Sequence, residues 1–289
     1  MKSTTFLAAS LVCLNSAYAS ETNTLTFDIY KGDENSFNVT STVVYGPTEV
    51  MVFDTGFTKA DALQIAAKVY ESGKTLSTIF ISQADPDYYF GAETLHQLFP
   101  DADIVTTPAV KEVIEEKLQF KMDYWSPKMG TNAPTKPYIP TAIEADSLTI
   151  DGISIEIKGT EGLLAHRPYL WIPSEKTILG NVAIYGHMHV WMADNQSPQS
   201  VTAWLNQLNE MKQLNPQRVI PGHMPEQNTH FDASHIDYTN SYINDFVAAK
   251  SKANNSQELI DIMLENYPNA SEASSLKLGA KVHAGEMKW

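Results

Sequence analysis

The segment Thr78–Gly91, with the sequence TIFISQADPDYYFG, restricts the fold of this chain more than any other segment. Residues 79–81 form a short β-branched and aromatic run of the kind that makes a buried strand. The residues that follow are polar, and Gln83, Asp85 and Asp87 alternate along them. Open α/β sheets place their sites outside the carboxyl ends of strands. The segment therefore predicts a buried strand with a cluster of polar side chains at its carboxyl end.

This segment resembles the metal-binding signature of the metallo-β-lactamase superfamily, H-x-H-x-D-H, which follows an apolar strand. Laid over that signature, the four ligand positions are occupied by Gln83, Asp85, Asp87 and Tyr88, and only Asp87 is the residue of the family. The resemblance extends over roughly residues 25–225 and implies an α/β fold, the four-layer αββα sandwich.

The resemblance assigns three more ligand positions. Leu163 stands where the family has a histidine, Asn181 stands where it has a bridging aspartate, and only His223 keeps the expected residue. Asp54 matches an aspartate that helps to order the metal loop of the family. Leucine cannot coordinate a metal, and a neutral amide lacks the charge that offsets the repulsion between two cations. The substitutions therefore argue against a dizinc centre.

A single divalent ion is an alternative to two zinc ions. Asp85, Asp87 and His223 form an oxygen-rich set that suits Mn, Fe, Mg or Ca, with Zn as a further choice. With such an ion, the resemblance implies hydrolysis of an ester, lactone or amide, in which Asp87 orients the attacking water. The alternative is a non-catalytic protein that kept the pocket, lost the metal and binds a small molecule, because fold alone does not decide function.

Other side chains are expected near the same pocket. His187 and His189 alternate, so on a strand they would point the same way. His166 follows Leu163 closely in the sequence. A loop histidine bonded to the backbone is the competing interpretation of each. Besides the metal set, the predicted pocket residues are Gln83, Tyr88, Leu163, His166, Asn181, His187 and His189, with Trp125 and Trp191 as aromatic lining.

Strand and helix patterns alternate in two blocks along the chain. Strands are predicted at residues 25–30, 37–45, 50–53, 77–81, 103–106, 147–150, 153–157, 169–172, 177–179 and 218–220. Helices are predicted between Thr58 and Gly73 and at residues 92–98, 110–120, 199–214, 238–249 and 257–267. Residues 124–140, rich in Pro, Gly, Lys and aromatic residues, predict a long irregular loop that borders the pocket.

Residues 1–19 have the pattern of a secretory signal peptide. Lys2 precedes an apolar run at residues 6–14, and a small-x-small motif ends at Ala19. The run is too short to span a bilayer, so no stable membrane insertion is expected after cleavage. We therefore expect a periplasmic or secreted protein, with one domain over residues 20–289 that ends in a helical extension.

Composition excludes several classes of function. The only cysteine, Cys13, lies in the predicted signal peptide, so the exported chain has no thiol nucleophile and no disulfide. The net charge of −14 repels nucleic acid, and no Lys/Arg cluster opposes that effect. The sequence has no Gly-x-Ser-x-Gly motif of a serine hydrolase. A small molecule remains the expected partner.

Overall fold

The computed structural model describes residues 24–289, so the predicted signal peptide, residues 1–19, lies outside the described residues. Two β-sheets lie face to face between two layers of helices. The four-layer α/β sandwich predicted from the sequence is confirmed.

The first sheet contains six strands in the order of the sequence. They are β1 (Thr26–Lys31), β2 (Thr40–Tyr45), β3 (Glu49–Phe53), β4 (Thr75–Phe80), β5 (Asp103–Thr106) and β6 (Thr141–Ala142). The first three strands pair antiparallel, and β3 to β6 pair parallel. The carboxyl ends of β3, β4 and β5 therefore meet at one edge, as the sequence pattern of alternating strands and helices requires.

The second sheet has the order β11-β10-β9-β8-β7. Its strands are β7 (Ser147–Ile150), β8 (Ile153–Lys158), β9 (Tyr169–Ile172), β10 (Thr177–Leu179) and β11 (Arg218–Ile220). Only β10 and β11 pair parallel, so their carboxyl ends lie side by side.

The helices cover the outer faces of the two sheets. They are α1 (Lys59–Ser72), α2 (Pro86–Tyr89), α3 (Ala92–Leu98), α4 (Pro108–Met129), α5 (Pro198–Gln213), α6 (Ser234–Lys252), α7 (Ser256–Asn266) and α8 (Ala273–His283). Helices α1, α3 and α4 share a core with the first sheet, and α5 to α8 share one with the second. A third core lies between the sheets, where Phe53 and Phe80 of the first face Leu170 and Ile220 of the second. This arrangement buries both faces of each sheet.

Helix α4 extends beyond its predicted end. The sequence predicts a helix at residues 110–120 and an irregular loop at 124–140, whereas the helix continues to Met129 and only the chain after it is irregular. Met122 and Trp125 pack against the core of the first sheet. Tertiary packing thus overrides a sequence without a clear helical period, and Pro127 is tolerated close to the helix end.

Helix α8 has no counterpart among the predicted elements. Its residues Leu276, Ala280 and Val282 are buried, and the first two belong to the core beneath the second sheet. Among the helices of residues 24–289, none combines the length and the apolar character needed to cross a membrane.

Candidate functional site

Polar side chains from both sheets converge where four strands end. Asp54 follows β3, Asp85 and Asp87 follow β4, Asn181 follows β10 and His223 follows β11. Gly222 allows the last two segments to approach closely, since a Cβ there would lie 2.1 Å from the carbonyl oxygen of Asn181. The structure therefore brings together, at one edge, the segments that the sequence analysis selected.

Asp54 fixes the start of the loop after β4. Its two carboxylate oxygens accept hydrogen bonds from the backbone N–H and the hydroxyl of Ser82, each at 2.7 Å. Asp54 has a left-handed backbone conformation, with φ of 64°. Burial raises the pKa of Asp54 to about 7, although the two bonds from Ser82 act in the opposite direction. Asp54 therefore holds the start of the loop, although its burial disfavours the charged form of the carboxylate.

Asp87 and His223 form the central polar pair. Oδ2 of Asp87 lies 3.6 Å from Nε2 of His223, and both side chains are buried. Nδ1 of His223 lies 2.9 Å from the carbonyl oxygen of Phe37. A carbonyl oxygen only accepts hydrogen bonds, so Nδ1 carries the proton and Nε2 presents a lone pair towards Asp87. The backbone of Phe37 therefore sets the tautomer of His223.

The environment favours the uncharged forms of this pair. Burial lowers the pKa of His223 to about 4. Burial and the nearby charge of Asp85 raise the pKa of Asp87 well above its usual range. The ring of Tyr185 stacks on His223, with 5.0 Å between the centroids and 12° between the planes. Burial therefore disfavours charge on both members of the pair, which lie in an aromatic environment.

Asp85 is bound by a lysine. Nζ of Lys121, in α4, lies 2.6 Å from Oδ1 of Asp85 and 3.0 Å from the carbonyl oxygen of Ala84. Burial by itself favours a higher pKa for Asp85, but the Lys121 ammonium lowers the pKa overall, with smaller contributions from Arg167 and Lys117. Asp85 is therefore a charged carboxylate with a cation already in contact with it.

A cavity of about 240 Å³ opens beside the Asp87–His223 pair. Its polar lining includes Asp85, Asp87, Lys121, Asp194 and His223, and the larger part is apolar: Phe37, Phe57, Pro86, Phe120, Tyr124, Trp125, Val182, Tyr185, Met188, Trp191, Leu278 and Trp289. The predicted contribution of Trp125 and Trp191 to the lining is confirmed.

Two aromatic groups form the walls. Phe37, Phe57 and Trp125 contact one another, with centroid separations of 5.3 to 5.4 Å. Trp191 and Trp289 both donate their indole N–H to Asp194, at 2.9 Å and 2.7 Å. These contacts hold the aromatic walls in fixed orientations around an apolar space.

Three polar atoms around His223 lack partners. The hydroxyls of Tyr88 and Tyr185 and Nδ2 of Asn181 are buried, and none has a hydrogen-bond partner within residues 24–289. Oδ1 of Asn181 accepts a bond from the backbone N–H of Ala183 at 3.0 Å. Of the three residues, Tyr185 lines the cavity. Unpaired buried polar atoms are costly, so a polar group of a ligand in the cavity would find a donor in the Tyr185 hydroxyl.

Several residues of the predicted pocket lie away from the cavity lining. Leu163 is 57 % exposed, and His166 is partly exposed. Residues 187–190 are not a strand, and His187 has a φ of 61°, so the expected alternation does not hold. His187 is exposed, whereas His189 is buried with Nδ1 2.9 Å from the hydroxyl of Tyr242. Gln83 is buried and its Oε1 accepts a bond from the N–H of Ala84.

The residues at this edge do not fit a two-metal centre. Within residues 24–289, no three His, Cys, Asp or Glu side chains lie close enough together to hold a metal ion. Only Asp87 and His223 of the predicted ligand set are close to each other, and Asp85 has Lys121 as its partner. The three-residue set for one ion stays a prediction, and of its members Asp87 and His223 lie 3.6 Å apart.

Comparisons with known proteins agree with the fold. A crystal structure of a metallo-beta-lactamase family protein from Thermus thermophilus superposes with a TM-score of 0.63 and 16 % identity, over 91 % of this chain and 93 % of that one. A metallo-beta-lactamase from Pontibacter korlensis gives a TM-score of 0.54 and 14 % identity, over 76 % of this chain and 95 % of that one. At such identities the likeness concerns the fold alone.

A match to a family model shows to which superfamily the chain belongs. A search of curated protein sequences found no match. The model of the metallo-beta-lactamase superfamily matches residues 35–223, which include every element that contributes to the Asp87–His223 pair. The chain therefore belongs to the metallo-beta-lactamase superfamily.

Proposed function

We propose that this protein binds a small, mostly apolar molecule that carries one neutral hydrogen-bonding group. The observation that supports the proposal most is the aromatic cavity that ends at the Asp87–His223 pair. Ligand sites are typically apolar clefts with a few polar groups that fix orientation. The polar group of the ligand would lie against Asp87, His223 and Tyr185, and its apolar body between the aromatic walls.

The charges of the site favour a neutral ligand. Lys121 is paired with Asp85, and Asp194 is engaged by two indole N–H groups. Within residues 24–289, Lys121 is the one cationic side chain of the cavity lining, so an anionic group would meet no unpaired cation there, and unpaired buried charge is costly. A neutral hydroxyl or carbonyl group meets no such penalty.

Three probes of one shape test this proposal: 2-naphthol, naphthalene and 2-naphthoate. Quenching of tryptophan fluorescence measures their affinities, since Trp125, Trp191 and Trp289 line the cavity. We expect 2-naphthol to bind about tenfold more tightly than the other two, because only it supplies a neutral hydrogen-bonding group. His223→Phe should remove that preference while naphthalene still binds.

Leu63→Ala is the control for this experiment, because Leu63 lies exposed in α1 and does not line the cavity. It should leave all three affinities unchanged. Equal affinities for the three probes in the unmodified protein would contradict the proposal, as would a preference for 2-naphthoate.

Hydrolysis of an ester, lactone or amide is a second candidate. Family membership favours it, together with an imidazole lone pair and a carboxyl group at the end of the cavity. Turnover of 4-nitrophenyl acetate and of an N-acyl homoserine lactone, measured with added Mn²⁺ or Zn²⁺ and with EDTA, tests it. Loss of turnover in Asp87→Ala and His223→Ala would support the enzyme, and absence of turnover in all conditions would contradict it.

Export to the periplasm or the medium is part of the proposal and rests on the sequence of residues 1–19. Mass spectrometry of the protein recovered from its host cells should identify Ser20 as the first residue. A chain that still contains residues 1–19 would contradict cleavage.

A further inference from the structure

Lys121 supplies a positive charge to the loop that carries the signature. Its ammonium contacts Asp85 at 2.6 Å and the carbonyl oxygen of Ala84 at 3.0 Å. Only 13 % of the Lys121 side chain and 33 % of the Asp85 side chain are exposed. Two partners therefore satisfy two of the three donors of this ammonium group in a mostly buried setting.

The position of Lys121 in α4 makes this contact a fixed one. Met122 and Trp125, next to it and one turn later, pack against the core of the first sheet. Lys117, one turn earlier, is exposed and makes no ion pair within residues 24–289. Of these two lysines, the packed part of the helix aims only Lys121 at the loop.

We propose that the Lys121 ammonium takes the place of a metal ion at this site. It holds the loop after β4 and prevents Asp85 from coordinating a metal ion. Two observations support this proposal. No three potential metal ligands come together within residues 24–289. Asp85, the carboxylate that could add a third ligand to the Asp87–His223 pair, is already in an ion pair with Lys121. The inference concerns the assembly of the site and holds whichever probe the cavity binds.

Thermal unfolding after dialysis against EDTA tests this inference. The unmodified protein and Lys117→Met should melt at the same temperature with and without millimolar ZnCl₂ or MnCl₂. Lys121→Met should melt about 4 °C below Lys117→Met, since it leaves a mostly buried carboxylate unpaired. Of the three proteins, only Lys121→Met should melt at a higher temperature when either ion is added, because in that variant Asp85 has no lysine partner and can bind the ion.

The double variant Asp85→Asn/Lys121→Met separates this role from general damage to α4. The double variant should recover most of the melting temperature that Lys121→Met loses, because removing both members of a buried pair leaves no unpaired charge. If Lys121→Met does not fold, a folded double variant supports the inference and an unfolded one contradicts it. Equal melting of Lys121→Met and Lys117→Met would also overturn it, as would a wild-type protein that loses stability with EDTA and regains it with zinc.

Discussion

Replacing Asp61 with alanine is expected to lower the free energy of unfolding by about 4 kcal/mol. Asp61 is buried near the start of α1 and accepts four hydrogen bonds. The donors are the hydroxyls of Tyr30 and Ser36, at 2.6 Å and 2.7 Å, and the backbone N–H groups of Phe57 and Thr58, at 3.1 Å and 2.9 Å. Alanine would leave these donors unsatisfied and remove half of the capping box of the helix.

This network also supports the site. Ser36 precedes Phe37, whose carbonyl oxygen sets the tautomer of His223, and the rings of Phe37 and Phe57 form one wall of the cavity. Asp61→Ala should therefore weaken 2-naphthol binding as well as stability, although Asp61 does not line the cavity.

Urea denaturation measures the loss of stability. Asp123→Ala is the matched control, because Asp123 is an exposed helical aspartate with one hydrogen bond, from Gln119. It should change the free energy of unfolding by less than about 0.5 kcal/mol. Tyr30→Phe removes one of the four donors and should cost about 1 kcal/mol. A loss for Asp61→Ala no larger than that for Asp123→Ala would contradict the role of the network.

Asp54 should make the stability of the protein depend on pH. Its pKa is about 7 in the folded protein, against an ordinary value of 3.8. Between these two pH values the folded state binds a proton that the unfolded state has lost, so the contribution of Asp54 to stability falls as pH rises. The shift corresponds to a loss of up to about 4 kcal/mol between pH 4 and pH 7. The physical cause is the burial of the carboxylate at the edge where the strands end.

Asp54→Asn tests this prediction, since an amide can accept from the N–H of Ser82 and bond its hydroxyl without a charge to bury. The variant should gain stability relative to the unmodified protein as pH rises from 4 to 7. Asp101→Asn makes the same change of charge at an exposed position and should leave the pH profile unchanged. A stability difference between Asp54→Asn and the unmodified protein that does not vary with pH would contradict the buried-carboxylate account.

The sequence predicts the sheets well because their signals are local. Residues 103–106, 169–172, 177–179 and 218–220 are strands with the predicted bounds, since short apolar runs between turn residues leave few alternatives. The meeting of Asp87 with His223 followed from the resemblance, which ties two distant strand ends to one site.

The rest of the site depends on contacts that local patterns do not carry. Lys121 and Asp85 lie in different elements, and nothing near Lys121 in the sequence distinguishes it from Lys117. The acceptor that orients His223 is a backbone carbonyl, which leaves no trace in residue type. Trp289 is held at the cavity by its hydrogen bond to Asp194. It follows α8, a helix that had no predicted counterpart.

The central claim is that side chains of this protein, and not two metal ions, organise the edge where the strands end. X-ray diffraction at the zinc absorption edge, from crystals grown with zinc chloride, tests it most directly. We expect no pair of zinc peaks beside Asp87 and His223, and Lys121 still in contact with Asp85. Two well-occupied zinc ions beside Asp87 and His223, with Lys121 displaced, would contradict the claim.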